Sequence, residues 1–229
     1  MIIQFICRAI LLGVPLLYGS VGEIVTEKSG HLNLGIPGIM YVGAISGVVG
    51  SFLYENACGN DIAAMNAFLA IIIPFLCAIA GATIMGLIYS FLTVTLHANQ
   101  NVTGLAITIF GNGLTQFLMH SYVDKTGFST AGKIIAKCLP FAENSDGIVK
   151  VLFGHGFYVY FAVIIALITT FIFNRTKVGL NLRAIGESPE TADAAGINVT
   201  KYKYVATCIG SAIAGLGGLY YVMDYANGV

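Results

Sequence analysis

Continuous apolar runs, not alternation of apolar and polar positions, organise this chain. Six runs stand out, at residues 2–18, 36–54, 63–96, 102–118, 157–173 and 204–223. A helix rising 1.5 Å per residue needs about 20 apolar residues to cross a bilayer core. Each run meets that requirement alone or with its flanks, so the pattern predicts about six membrane-spanning helices. The run at 63–96 is long for one upright helix, and Pro74 inside it predicts a single kinked one. A β-barrel is excluded, because its strands would alternate. Short polar segments join most runs. The exception is residues 119–156, whose length and mixed polarity predict a small cap on one face of a single transmembrane domain covering 1–229.

Composition strengthens this reading. The chain is 57% hydrophobic and only 10% charged, whereas a soluble domain averages about 45–50% and about 25%. Eleven basic and eleven acidic residues cancel, which leaves no basic face for nucleic acid. The N-terminal run lacks a basic leader and contains Arg8, so it is read as a retained span and not a cleaved signal. The five cysteines have no metal-ligand or C-x-x-C spacing. Cys58 and Cys138 fall in segments expected on the same face, where a disulfide is open to them.

Basic residues set the expected orientation. Arg175, Lys177, Arg183, Lys201 and Lys203 cluster in residues 174–203, and Lys28 falls on the same side. Segments 23–35, 97–101 and 174–203 are therefore expected in the cytoplasm, with the N-terminus outside. Small residues recur at four-residue spacing: Gly43 with Gly47, Ser211 with Gly215, and Ala214 with Gly218. Such stripes let helices approach closely, either within one bundle or between two copies.

Catalytic signatures are missing. There is no H-x-x-x-H, no G-x-S-x-G and no carboxylate pair inside a run. GFSTAGKI at 127–134 resembles a phosphate-binding loop but ends in Ile134, where a hydroxyl would hold magnesium. No enzyme and no nucleotide site of its own are expected. Glu23 and Asp224 are expected only at span ends, which counts against a proton- or sodium-coupled transporter. The polar residues of the fourth run are more informative. Thr108, Asn112 and Gln116 share one helix face. That face serves either hydrogen bonds between helices or the lining of a path for a polar, uncharged solute. Asn33, in HLNLGIPG before the second run, is a candidate for the same path, because helix-breaking residues at membrane depth line cavities.

Between the last two runs lies GESPETADAAGIN. Ser188 suits an N-cap, Pro189 the first helical position, Glu190 the first turn and Gly196 the C′ position. Together they predict one short helix at 189–195, about 10 Å long. Glu190 and Asp193 share one face of it, and Ala192 and Ala195 another that offers close approach to a partner.

Three stretches carry a family resemblance: GLNLRAIGESPETADAAGINVTKYK, GEIVTEKSGHLNLGIPGIM and HANQNVTGLAITIFGNGL. They resemble the inner-membrane permeases of ATP-binding-cassette importers, in the branched-chain amino acid, ribose and nucleoside group. EKSGHLNLGIPG is most similar to the simple-sugar and nucleoside branch. The resemblance implies an all-α polytopic bundle in the bacterial cytoplasmic membrane, paired with a second permease subunit. It also implies a cytoplasmic ATPase that holds the ATP, so that this chain binds no cofactor, and an extracytoplasmic solute-binding protein. Nucleosides or simple sugars are the first expectation for the solute. Glu187, Ser188, Pro189, Glu190, Thr191, Ala192, Asp193, Ala194, Ala195 and Gly196 would form the coupling helix and its flanks, in contact with that ATPase. Asn33, Asn112 and Gln116 would contact the solute. Relatives of this kind carry further spans after the one ending near Met223, so the chain is expected to be C-terminally truncated. The alternatives are a secondary transporter or channel, or an inactive truncated subunit.

Overall fold

The structure, a computed structural model, describes residues 2–59, 66–123 and 154–225. Among these the chain is helical: α1 (Ile2–Glu27), α2 (Ile36–Ala57), α3 (Ala67–Ser90), α4 (Gln100–Leu118), α5 (Phe157–Arg175), α6 (Lys177–Glu187), α7 (Pro189–Ala194) and α8 (Val199–Tyr220). Single π-helical turns extend α3 over Phe91–Thr95, α4 over Met119–Val123 and α8 over Tyr221–Tyr225. Among the described residues six helices are long and apolar enough to cross a membrane, in agreement with the six apolar runs.

Polar ends sharpen the boundaries. α3 is the single long helix expected, starting after Asn66, whose side chain accepts from the Phe68 amide. Asn99 caps α4 by accepting from the amides of Asn101 and Val102 at 3.0 and 3.3 Å. Asn198 caps α8 by accepting from Lys201 at 2.9 Å. Each cap satisfies donors that a helix start leaves free. Two expectations were too short. α1 continues past residue 18 to Glu27, because Val21 and Val25 bury a further apolar stripe. α8 begins at Val199, ahead of its apolar run. Most of the cap expected at 119–156, the phosphate-loop-like segment at 127–134 and Cys138 lie outside the described residues.

α2 and α8 form the centre, packed against each other and against α3; α1 also packs on α8. Glycine makes this possible. A Cβ at Gly43 would stand 2.6 Å from the Cα of Gly215, and one at Gly218 would overlap the Met40 carbonyl. The small-residue stripes thus pack helices within one chain. A second seam, unforeseen in the sequence, joins α2 to α4. Gly38 lies against Ile107 and Thr108, and Gly111 against Gly38.

Pro15 shows how the bundle tolerates a helix-breaking residue. Proline has no amide to give the carbonyl four residues back, which is that of Leu11. The Tyr220 hydroxyl donates to Leu11 O instead, at 3.1 Å. The carbonyl that proline leaves free is thereby satisfied from a neighbouring helix.

Candidate functional site

The three segments grouped by charge lie together at one end of the bundle. Leu32 N donates to Gln100 Oε1 at 2.9 Å, Thr95 and Tyr204 share a hydroxyl–hydroxyl hydrogen bond, and Gly186 touches the backbone of Lys28 and Gly30. α6 and α7 sit at this end.

α6 was not foreseen within 174–203, although its signals are in the sequence. Thr176 Oγ1 accepts from Gly179 N at 3.2 Å and so caps it. Leu182 and Ile185 are buried with Gly179 at helical spacing. Leu182 packs with Val25 and Ala206 and beside Phe173 and Tyr202, fixing α6 beneath α1, α5 and α8. Arg183 donates to Asn174 Oδ1 at 2.7 Å and Asn181 to the Tyr202 hydroxyl at 2.9 Å. A six-residue helix is unstable alone; α7 gains its support from α6.

α7 follows after one residue. Ser188 Oγ accepts from Thr191 N at 3.4 Å, Pro189 takes the first helical position and Glu190 the first turn. Gly196 has φ of 81°, the left-handed conformation that glycine adopts without strain at a C′ position. The predicted punctuation is therefore observed, with the helix ending at Ala194. The two-alanine face is not. Ala192 is 3% exposed and turns into the chain's own surface, while Ala195 is exposed. A small side chain at 192 is consistent with that burial. The accessible surface consists of Glu187, Pro189, Glu190, Thr191, Asp193, Ala194, Ala195 and Gly196, with Ser188 half-buried.

Of the residues nominated for a solute path, Asn112 and Gln116 are brought together and Asn33 is not. Gln116 Nε2 donates to Asn112 Oδ1 at 3.1 Å on an exposed face of α4. Thr108 lies on the same helix but donates to Leu34 O at 3.0 Å and Gly104 O at 3.2 Å. Asn33 is 2% exposed. Its Oδ1 accepts from Gly35 N and its own amide donates to Glu23 Oε1. Asn33 lies beside the first turns of α4, since Gly35 abuts Gly104; Asn112 is two turns further along, about 12 Å at 1.5 Å per residue. A groove of about 490 Å³ between α1, α5, α6 and α8 is almost wholly apolar and includes none of the three.

One of the two acids also differs from expectation. Glu23 stands a full turn inside α1 and is half-buried, and Asp224 is buried in the last π turn. Both were expected at span ends; Asp224 is there, one residue from the end of its span, whereas the extension of α1 to Glu27 places Glu23 one turn inside. Around the α1–α2 turn the polar groups are incompletely satisfied. Glu23 Oε2, His31 Nδ1 and Asn33 Nδ2 are buried without a hydrogen-bond partner. Burial, with the Lys203 ammonium adding to it, pushes the His31 imidazole down to about 4.

Comparison with known proteins adds a second line of argument. Residues 5–229 match the model of a family described as the permease component of the branched-chain amino acid transport system. The chain is 30% identical to the guanosine ABC transporter permease protein of Bacillus subtilis, over 93% of this chain and 65% of that protein. It is 28% identical to a nucleoside ABC transporter permease protein of Lactococcus lactis, over 94% and 66%. It is 30% identical to a putative glucose ABC transporter permease protein of Haloferax volcanii, over 93% and 60%. The chain thus spans a little under two thirds of the length of these relatives. No solved structure matches it.

Proposed function

This chain belongs to the family of permease components of the branched-chain amino acid transport system, and from that premise we propose that it forms part of the membrane path of an ATP-binding-cassette importer. The observation that carries the proposal is α7. It is a capped short helix, held on α6 at one end of a bundle of spans, with Glu190, Asp193 and Ala194 turned outward. A helix too short to persist alone and supported from beneath is suited to transmit a push. In this reading it seats in a cytoplasmic ATPase subunit, which binds and hydrolyses the ATP.

The solute is a nucleoside, with simple sugars second; the names of the guanosine and nucleoside permeases among its relatives support that order. Asn112 and Gln116 present uncharged donors and acceptors on an exposed face of α4, which matches the hydroxyls and ring nitrogens of such a solute. Lipid is a poor neighbour for that amide pair, so a second permease subunit faces it across the path. Asn33 acts from beneath, by holding the first turns of α4. An extracytoplasmic binding protein delivers the solute, and the assembly resides in the bacterial cytoplasmic membrane.

The test is uptake of labelled guanosine and galactose by vesicles holding the full-length protein with its ATPase and binding protein. ATP-dependent guanosine uptake is expected, lost when the ATPase is omitted. Uptake that persists without the ATPase and collapses with a protonophore would replace this reading by a secondary transporter. The buried Asp224 and half-buried Glu23 would then be the first residues to test.

A further inference from the structure

The turn between α1 and α2 is bound from several sides. Over four successive residues, Leu32 to Gly35, five hydrogen bonds fix the backbone. Gln100 of α4 accepts from Leu32 N, and Tyr89 of α3 donates to Leu32 O at 2.7 Å. Glu23 of α1 accepts from Asn33 N at 2.8 Å, Asn33 Oδ1 accepts from Gly35 N at 2.9 Å, and Thr108 of α4 donates to Leu34 O. Four of the five come from spans. An ordinary surface turn is satisfied by its own side chains or by water. This one is joined to three helices at once.

The other end of the same turn meets α6. A Cβ at Gly186 would lie 2.6 Å from Lys28 O, and a Cβ at Gly30 would lie 3.4 Å from the Cα of Gly186. Gly30 has φ of 82°, so glycine there is required by conformation as well as by space. Gly186 is the penultimate residue of α6, two residues before the N-cap of α7. A displacement of α7 therefore reaches the Lys28–Gly30 backbone through a contact with no flexible side chain between.

From these observations we infer that residues 28–35 are the transmission segment of the permease, carrying motion of α7 through Gly186 to α4. The inference rests on the reading of α7 as the ATPase contact and says where its motion goes. A transmission element needs two arrangements of comparable energy. The orphaned Glu23 Oε2, His31 Nδ1 and Asn33 Nδ2 are the groups a second arrangement would satisfy. Buried polar atoms without partners raise the energy of the present one.

The test uses the full-length transporter assembled with its ATPase, with native cysteines replaced and Leu32, which is 43% exposed, changed to Cys. The rate at which a maleimide labels Leu32→Cys should differ by about fivefold or more between nucleotide-free and vanadate-trapped states. Gly186→Val should abolish that difference while the ATPase still co-purifies. Tyr89→Phe with Gln100→Ala, which removes the hydrogen bond to α3 and one of the two to α4, should keep the difference but lower labelled guanosine moved per ATP. Equal labelling in both states overturns the inference, as does a difference that survives Gly186→Val. Unchanged transport per ATP in the double variant also overturns it. If Gly186→Val fails to assemble, the double variant alone decides. An ATPase that binds the wild type but ignores an Ala195→Arg change refutes the α7 contact instead, which separates the two failures.

Discussion

Gly43→Ala is the sharpest test of how the centre of the bundle is held. The added methyl carbon would stand 2.6 Å from the Cα of Gly215 and 2.9 Å from its carbonyl oxygen. Non-bonded carbons settle at about 3.5–4.0 Å, so α2 and α8 must part by about 1 Å. Neither neighbour can swing aside, because both atoms belong to the backbone of a helix that also packs on α1 and α3. Overpacking of this kind costs about 1–3 kcal/mol. For a chain of this size each kcal/mol is worth about 2–4 °C in Tm, so a loss of several degrees is expected. Gly13→Ala is the matched control. Nothing lies within 4 Å of its Cβ position, and replacing an open mid-helix glycine gains about 0.5–1 kcal/mol. The assay is the fraction of detergent-purified protein that stays monodisperse after heating, scored for both variants. Opposite signs are expected. If Gly43→Ala melts with the wild type and changes only the oligomeric state, the stripe joins two copies and the packing argument fails.

Other perturbations probe the two ends of the molecule. His31 is held down to about 4 against an ordinary value of about 6.5. Between those values the unfolded chain binds a proton that the folded chain refuses. Stability is therefore full above about pH 6.5 and falls as pH drops toward 4, by about 3 kcal/mol at most; His31→Gln should flatten a plot of Tm against pH in that window. Ser188→Ala removes the cap of α7 and should cost about 1 kcal/mol of local helix stability, read as faster amide exchange across Pro189–Ala194 with the spans unaffected. Ala195→Arg should leave folding unchanged and weaken ATPase co-purification. Ala192→Arg should instead expose α7 to proteolysis, because position 192 faces inward. Gln116→Leu should alter guanosine uptake kinetics without changing membrane level; identical kinetics would remove Gln116 from the solute path.

The sequence revealed what local chemistry decides. Six apolar runs became six helices, and the start of α7 followed from Ser188, Pro189 and Glu190 because capping is a property of neighbours in the chain. The meeting of the segments at 23–35, 97–101 and 174–203 at one end of the bundle followed from the alternation of the spans. What escaped depends on long-range packing. α6 has only Leu182, Ile185 and Gly179 to bury, a weak stripe by itself, and becomes stable where Val25, Phe173 and Ala206 meet it. The Ala192–Ala195 face looked uniform by spacing, yet the chain folds back on one alanine and leaves the other free.

Asn33 shows the same limit from the functional side. Its place among helix breakers pointed to a cavity, and the amide is indeed at the junction of α1, α2 and α4. There it is engaged with Gly35 and Glu23, whereas the open polar pair lies about two turns up α4. A single polar residue near a broken helix thus has two uses that sequence cannot separate: touching the solute, or holding the helix that does. The hydrogen bonds of Asn33 go to Glu23 of α1 and to Gly35 of its own turn, and the same turn is tied to α4 by Gln100 and Thr108. If α7 is the ATPase contact, as proposed, its motion needs a path to α4 with little slack. Two glycines in backbone contact at one end and five hydrogen bonds at the other supply it.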